Sequence, residues 1–322
     1  MSTETTSRPR RAGSVTTTFV ATATLVILFV MALPTAAAAL QVSQPPRDRR
    51  APTKPTVDES GATGALRPVF TFGARDNRTP PLQLRFRCAI DSPLRRPCAR
   101  TFQPFSDLAF GRHQLSVVAV DRAGNVSRVT NFAFSVVGTW DAAADFPRTA
   151  PSENPAHDQY GNTVWAYLYS AERIHDPTLY RPLPHFDPVG GAVNAQWNMA
   201  GSGATIEFPL VGVQGSSIGF HPDRDRFAIL GWRSPYTGTV AIEFTLRLED
   251  PGAQSGGNGI AWSIDHGNTT LQTKALTYGY DDHAAITMDV TVGDQFYVVI
   301  DNRGDSNYDT TVGEFRVHTV FP

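Results

Sequence analysis

Between Thr239 and Glu249 the chain alternates apolar and polar residues without a break. Val240, Ile242, Phe244, Leu246 and Leu248 share one parity; Thr239, Ala241, Glu243, Thr245, Arg247 and Glu249 share the other. Side chains of an extended chain point to opposite faces with a period of two, whereas a helical face repeats every 3.6 residues. This stretch therefore predicts a strand with one buried face and one wet face. The same strand signal recurs in Ile206-Glu-Phe-Pro-Leu210, Ile260-Ala-Trp-Ser-Ile264, Ile286-Thr-Met-Asp-Val-Thr-Val292, Phe296-Tyr-Val-Val-Ile300 and Phe315-Arg-Val317. Glycine-rich turns at Gly256-Gly-Asn-Gly259 and Gly293-Asp294 mark strand ends.

About eight to ten such strands over residues 153–322 predict a jelly-roll-like β-sandwich. Shorter runs occupy residues 55–137. Leu82, Leu84, Phe86 and Cys88 lie on one parity against Gln83, Arg85 and Arg87, and Phe70 alternates with Phe72. Leu115, Val117 and Ala119 repeat the pattern, as do Phe132, Phe134 and Val136. Turn clusters at 76–81, 92–93 and 121–125 separate these runs, which predicts a small Greek-key sandwich. The fold class is thus all-β: two β-sandwich domains following an N-terminal signal helix. Two Pro- and charge-rich stretches, 40–54 and 138–152, are expected to be linkers.

The leader is read from three features. Arg8, Arg10 and Arg11 precede an apolar run from Phe19 to Leu33, and Pro34 is followed by the small residues Thr35 to Ala39. That is the layout of a secretory signal peptide over residues 1–39. Two outcomes stay open: cleavage after Ala38 or Ala39, or retention as a single amino-terminal anchor. Either way the chain is expected to be secreted or held at the cell surface. Cys88 and Cys98, the only cysteines, would then meet an oxidising space and form a disulfide.

A resemblance rests on Phe86-Arg-Cys-Ala-Ile-Asp91, Pro97-Cys98, Leu108-Ala-Phe-Gly111-Arg-His113 and Val118-Ala-Val-Asp121-Arg-Ala-Gly124-Asn125. Together these resemble the bacterial immunoglobulin-like repeats of exported actinobacterial proteins. The family pattern runs Cys-x-x-Asp, a second Cys, Leu-x-x-Gly-x-His, then Ala-x-Asp-x-Ala-Gly-Asn; here Ser92 stands where Gly is usual. The resemblance implies a spacer or binding module without catalysis, and His113 is expected to be a structural residue at a turn or strand start. In the second domain, Asn154-Pro155, Tyr160-Gly161, Trp165-Ala-Tyr167, His221-Pro222, Trp232-Arg-Ser-Pro235, Gly293-Asp294 and Asp309-Thr310-Thr311 look like a recurring extracellular jelly-roll domain. That domain is similar in outline to galactose-binding-like and carbohydrate-binding modules.

Charge narrows the partners. Residues 1–140 carry 18 Lys and Arg against 8 Asp and Glu, and residues 141–322 carry 10 against 22, so the net of −2 conceals halves of +10 and −12. The acidic majority of the second domain argues against nucleic acid. A polysaccharide or another cell-envelope component is the expected partner, the basic part facing the anionic envelope. A structural or adhesive role through protein contacts is the alternative; a β-sandwich hydrolase or lyase is a third, weaker one.

Three constellations carry candidate chemistry. Trp165, Tyr167 and Tyr169 share a strand face that could stack on sugar rings, with Trp197, Trp232, Tyr278 and Tyr280 as further candidates. Val164, Ala166 and Leu168 make the opposite face apolar too, which favours burial on both sides. Asp301, Asp305, Asn307 and Asp309 resemble the first part of a calcium loop. However, Thr310 and Arg316 occupy the turn-glycine and bidentate-glutamate positions, so an Asx-rich turn is favoured. Gly215-Ser-Ser-Ile-Gly219 matches the hydrolase elbow pattern, but no helix follows it, and a nucleophile is rejected. No other cofactor is expected, and the protein is read as a non-catalytic binding protein.

Overall fold

The computed structural model describes residues 46–61, 65–149, 152–188, 195–200, 207–249 and 256–321. The leader (1–39) and residues 40–45 of the first linker lie outside them. Strands dominate the described residues, and the helical turns there are Pro81–Gln83 and Pro177–Leu179, three residues each. The all-β expectation holds.

The first sandwich contains β1 (Thr56–Ser60), β2 (Val69–Gly73), β3 (Arg85–Ile90), β4 (Arg96–Cys98), β5 (Thr101–Phe102), β6 (Gly111–Val120) and β7 (Thr130–Val136). They form two antiparallel sheets, β1-β2-β5 and β4-β3-β6-β7. The alternating residues meet between them: Phe70 and Phe72 from one sheet pack with Phe86, Cys88, Leu115, Val117, Ala119, Phe134 and Val136 from the other. Cys88 and Cys98 are joined across the β3–β4 hairpin with Cα atoms 6.0 Å apart. Closing so short a loop contributes about 3 kcal/mol by restricting the unfolded chain. His113, at the start of β6, is fixed by the Asp91 carboxylate at 2.6 Å and the Ala109 carbonyl at 2.8 Å. Its ring stacks on Phe134, so its role is structural.

The second sandwich contains β8 (Thr139–Asp141), β9 (Ala156–His157), β10 (Thr163–Ser170), β11 (Tyr180–Pro182), β12 (His185–Asp187), β13 (Gln196–Asn198), β14 (Leu210–Gln214) and β15 (Ser217–His221). It continues with β16 (Ala228–Arg233), β17 (Gly238–Leu248), β18 (Ile260–His266), β19 (Thr269–Leu276), β20 (Asp281–Val290), β21 (Gln295–Asp301) and β22 (Thr311–Thr319). One sheet runs β11-β10-β16-β21-β18-β19 with β9 beside β10. The other runs β12-β13-β14-β15-β22-β17-β20 with β8 beside β22. The buried parity of β17 meets Trp165, Leu230, Trp232, Trp262, Ile264, Phe296 and Val298 in a single core. The Gly-x-Ser-x-Gly segment is the β14–β15 hairpin: Gln214 pairs with Ser217, and Gly215 takes the φ of +62° that such a turn needs.

Both linker expectations need correction. Within the stretch 138–152, Trp140, Ala142, Ala143 and Phe146 are buried and Thr139–Asp141 pairs with β22, so this part of it is built into the second sandwich. The described part of the first linker, residues 46–54, is anchored to the first sandwich. Pro52 and Pro55 are buried, Thr53 exchanges hydrogen bonds with Arg75, and the Pro55 carbonyl accepts from Thr130. The prolines offer apolar rings that a polar linker would not. The strand expected at Ile206–Leu210 begins only at Leu210, Ile206 itself lying outside the described residues.

Phe110, in the loop before β6, packs edge-on against Trp140, Tyr160 and Tyr236 of the second sandwich at 5.2–6.0 Å between ring centroids. Gly138 sits directly beneath: a Cβ there would lie 2.8 Å from the Trp140 ring and 3.2 Å from Phe110. The two sandwiches belong to one compact unit that begins at Asp48.

Candidate functional site

The wet face of β17 is where chemistry-bearing side chains gather. Thr245 stands opposite His283 of β20 on one side and Glu314 of β22 on the other; Arg247 stands opposite Asp281 and Val312. Ser217 of β15 reaches the same place, its neighbour Ile218 pairing with Gly313. The register thus sets polar groups in transverse rows over a cleft of about 410 Å³, lined by Ser217, Thr245, Arg247, Asp281, His283 and Glu314.

The surrounding contacts fix several of these groups. Arg316 donates to Asp141 at 2.8 Å through Nε and pairs with Glu314 at 2.9 Å through Nη1. Its pKa is raised chiefly by the Asp141 hydrogen bond. The misread linker therefore supplies, through β8, the carboxylate that holds the Arg316–Glu314 pair. Asp282 also lines the cleft and is almost fully buried. Burial pushes its pKa up, but the hydrogen bonds from Lys274 (2.8 Å) and Trp262 Nε1 (3.0 Å), with the His283 amide, outweigh this and hold it below the usual carboxylate range. Arg247 donates to Glu249. The cleft so offers fixed acceptors at Glu314 and Asp282 and donors on Arg247 and Ser217, a mixture suited to a neutral ligand rich in hydroxyl groups.

Gly313 holds the cleft floor together. A Cβ at this position would fall 1.8 Å from the Thr245 carbonyl oxygen, so β17 and β22 approach this closely only because residue 313 has no side chain.

A second cleft, about 330 Å³, lies on the outer face of the other sheet and is lined by Leu168, Tyr180, Pro182, Arg233, Gln295 and Tyr297. Ala166 and Gly231 pair across its floor. Tyr180 and Tyr297 pack edge to face at 5.1 Å, and burial raises the pKa of both phenols, keeping them neutral. This cleft is more apolar than the first and offers fewer groups to orient a ligand.

The platform alternative loses its tryptophans, and the burial favoured for the β10 aromatics is what the structure has. Trp165 of β10, Trp197 of β13 and Trp232 of β16 are buried in the core between the sheets. Tyr278 is half-buried against that core. Tyr280 remains, 68% exposed and directly before Asp281 of the first cleft. From Asp301 to Asn307 the contacts are those of Asx turns. The carboxylates of Asp301, Asp305 and Asp309 do not converge on a common point. Asp301 accepts from the Arg303 amide and from Arg173, and Asp305 accepts from Asn307 N (3.1 Å) and Nδ2 (2.6 Å), as in Asx turns. Sequence reasoning missed Glu314 and Ser217 as site residues; the polar parity of β17, which contains Thr245 and Arg247, was the signal pointing toward them.

No protein-family model and no curated protein matches this sequence. Solved structures do. One pairs an M60 catalytic domain with the CBM51-1 and CBM51-2 domains of Clostridium perfringens ZmpB: 11% identity, 83% of this chain and 31% of that one, TM-score 0.28. A study of promiscuous carbohydrate-binding modules from the β-sandwich superfamily supplies another: 11% identity, 84% and 96% coverage, TM-score 0.29. A third is a CBM51 from Clostridium perfringens GH95 in complex with methyl-galactose: 14% identity, 33% and 72% coverage, TM-score 0.25. The chain spans about a third of the ZmpB structure's length and nearly all of the second. At these TM-scores the likeness leaves the ligand to be argued from the cleft.

Proposed function

We propose that the protein is an exported, non-catalytic module that binds a carbohydrate in the cleft over β17, β20 and β22, the first sandwich serving as an immunoglobulin-like spacer. The observation that carries this reading is the transverse arrangement of Thr245, Arg247, Asp281, His283 and Glu314 on an open sheet face. Sugar rings present hydroxyls that need donors and acceptors at fixed spacing, together with an aliphatic face that stacks on an aromatic ring. Tyr280, exposed and adjacent in sequence to Asp281 of the cleft, is the candidate for that ring. Binding without turnover fits the way the acids are engaged: Glu314 is held by Arg316, and Asp282 by Lys274 and Trp262. A wall polysaccharide or other envelope glycan is the partner class that matches an exported chain. No helix among the described residues is long and apolar enough to cross a membrane.

The test is a glycan array probed with the full chain, in calcium and in EDTA, beside Arg247→Ala and Tyr280→Ala. Selective binding that both variants weaken at least about tenfold, the loss of a charged hydrogen-bonding group or a stacking ring, is the expected result. Uniform background in both buffers would overturn the reading. The adhesive alternative draws on Leu82, Leu94 and Phe105 of the first sandwich, large apolar side chains left in solvent, Phe105 at 97% exposure.

A further inference from the structure

Three segments that are distant in sequence meet at one end of the first sandwich. Asp48 comes from the stretch before β1, Asp76 from the turn after β2, and Asp121 from the turn after β6. Each offers a carboxylate oxygen within 4.8 Å of the other two. None of the three takes part in an ion pair among the described residues, whose ion pairs all use other acids. Three carboxylates are thus gathered without an ion pair among the described residues to offset them.

A separate observation concerns the individual oxygens. Asp48 Oδ2 and Asp76 Oδ1 are sealed from water and receive no hydrogen bond. The nearby amides serve the other oxygen of each carboxylate: Arg50 N reaches Asp48 Oδ1 at 3.0 Å, and Arg78 N and Thr79 N reach Asp76 Oδ2 at 3.0 and 2.7 Å. Asp121 is buried, and Asn125 donates to both its oxygens at 2.7 Å. The same Asn125 amide donates to the Asp48 carbonyl at 3.1 Å, tying the incoming segment to this turn. A sealed anionic oxygen with no donor is costly unless a cation meets it.

We propose that Asp48, Asp76 and Asp121 form a calcium site, with Asp48 Oδ2 and Asp76 Oδ1 among its ligands. The donors are all hard carboxylate oxygens, with no His or Cys among them, which suits calcium or magnesium and not zinc. Oxygens sharing one calcium ion at about 2.3–2.6 Å stand within about 5 Å of each other, as these do. Calcium also accepts irregular geometry and completes its shell with water, whereas magnesium demands a near-ideal octahedron. The bound ion would clamp residue 48 to two turns of the first sandwich. This inference is independent of the carbohydrate reading, whose cleft lies in the other sandwich.

The test titrates calcium chloride into the EDTA-stripped full chain by calorimetry, with magnesium in a parallel arm, and follows thermal melting with and without calcium. The expected result is one calcium per chain, with an affinity in the range of about 10⁻⁵–10⁻³ M found for sensor and extracellular sites, and a melting temperature that rises with calcium. Asp76→Asn should weaken binding at least tenfold, abolish the calcium-dependent rise and leave the metal-free chain at least as stable, since one repelling charge is gone. Asp48→Asn, altered outside both sheets, should do the same. Wild-type protein that takes up no calcium, variants that bind as wild type does, or variants less stable than wild type in EDTA would each overturn the proposal.

Discussion

Three indoles of the second sandwich are anchored by carboxylates inside the protein. Trp140 donates to Asp158 at 2.8 Å, Trp165 to Asp145 at 2.9 Å, and Trp262 to Asp282 at 3.0 Å. A buried N–H needs an acceptor, and a charged one makes a stronger bond than a carbonyl does. The cost falls on Asp145. Burial, with Asp158 and Asp141 nearby, raises its pKa to about 6 despite the Trp165 bond. A carboxyl with a folded-state pKa above its unfolded value contributes most below about pH 4, and that contribution is lost as pH rises through 6. The full linkage is about 3 kcal/mol, which solvent screening of this partly exposed group reduces to about 1–2 kcal/mol. Asp145→Asn should therefore gain that much stability relative to wild type between pH 4 and pH 7, measured by urea unfolding across the range. A constant difference between the two proteins would show that Asp145 does not titrate there. None of these pairs was legible in the sequence, because each partner lies 18–20 residues from its indole and only the folded sheets bring them together. For the same reason the Asp145 partner of Trp165 could not be cited from the sequence in favour of its burial.

Single strands show which signals survive without coordinates. β17 announced itself whole by parity, because a sheet with one wet face imposes alternation on its strands. β6, β20 and β22 showed it only in part, at Leu115–Ala119, from Ile286 on, and at Phe315–Val317. β8 did not. Three residues are too few to show a period, and the Asp141-Ala-Ala-Ala-Asp145 stretch that follows has the composition of a loop. Its burial depends on β22 and the first sandwich closing over Trp140. The cleft was half legible: the polar parity of β17 was visible, but its pairing with Glu314, 69 residues away, was not. Gly313 belongs to this scale as well, since it sets how closely two strands lie. Gly313→Ala drives a methyl group into the Thr245 carbonyl, so β17 and β22 must part, at a cost of about 3 kcal/mol, the upper part of the overpacking range. Chemical denaturation should show the loss, and glycan binding should fall with it, because the Thr245–Glu314 row is broken. Unchanged binding in a folded variant would place the ligand elsewhere.

Across the whole molecule, the two sandwiches share aromatic packing at Phe110, Trp140, Tyr160 and Tyr236. Modules on a flexible linker melt separately, whereas modules that share a core melt together. Phe110→Ala removes the ring that the first sandwich contributes, at a cost of about 2 kcal/mol for a partly buried phenylalanine. Calorimetry should show one transition for the wild type and two for the variant; a single transition in both would assign the coupling to other contacts. The ends of the second sandwich have a mechanical consequence. β8, where the chain arrives, runs antiparallel to β22, and Gly138 and Thr319 close the ladder with hydrogen bonds of 2.9 and 3.0 Å. A pull applied between residues 137 and 320 would load the β8–β22 rungs one at a time, from the Gly138–Thr319 end inward. Chain entry and exit of this sandwich lie side by side, so the rungs nearest them yield first, and Glu314, deeper along β22 than any residue paired with β8, is reached last.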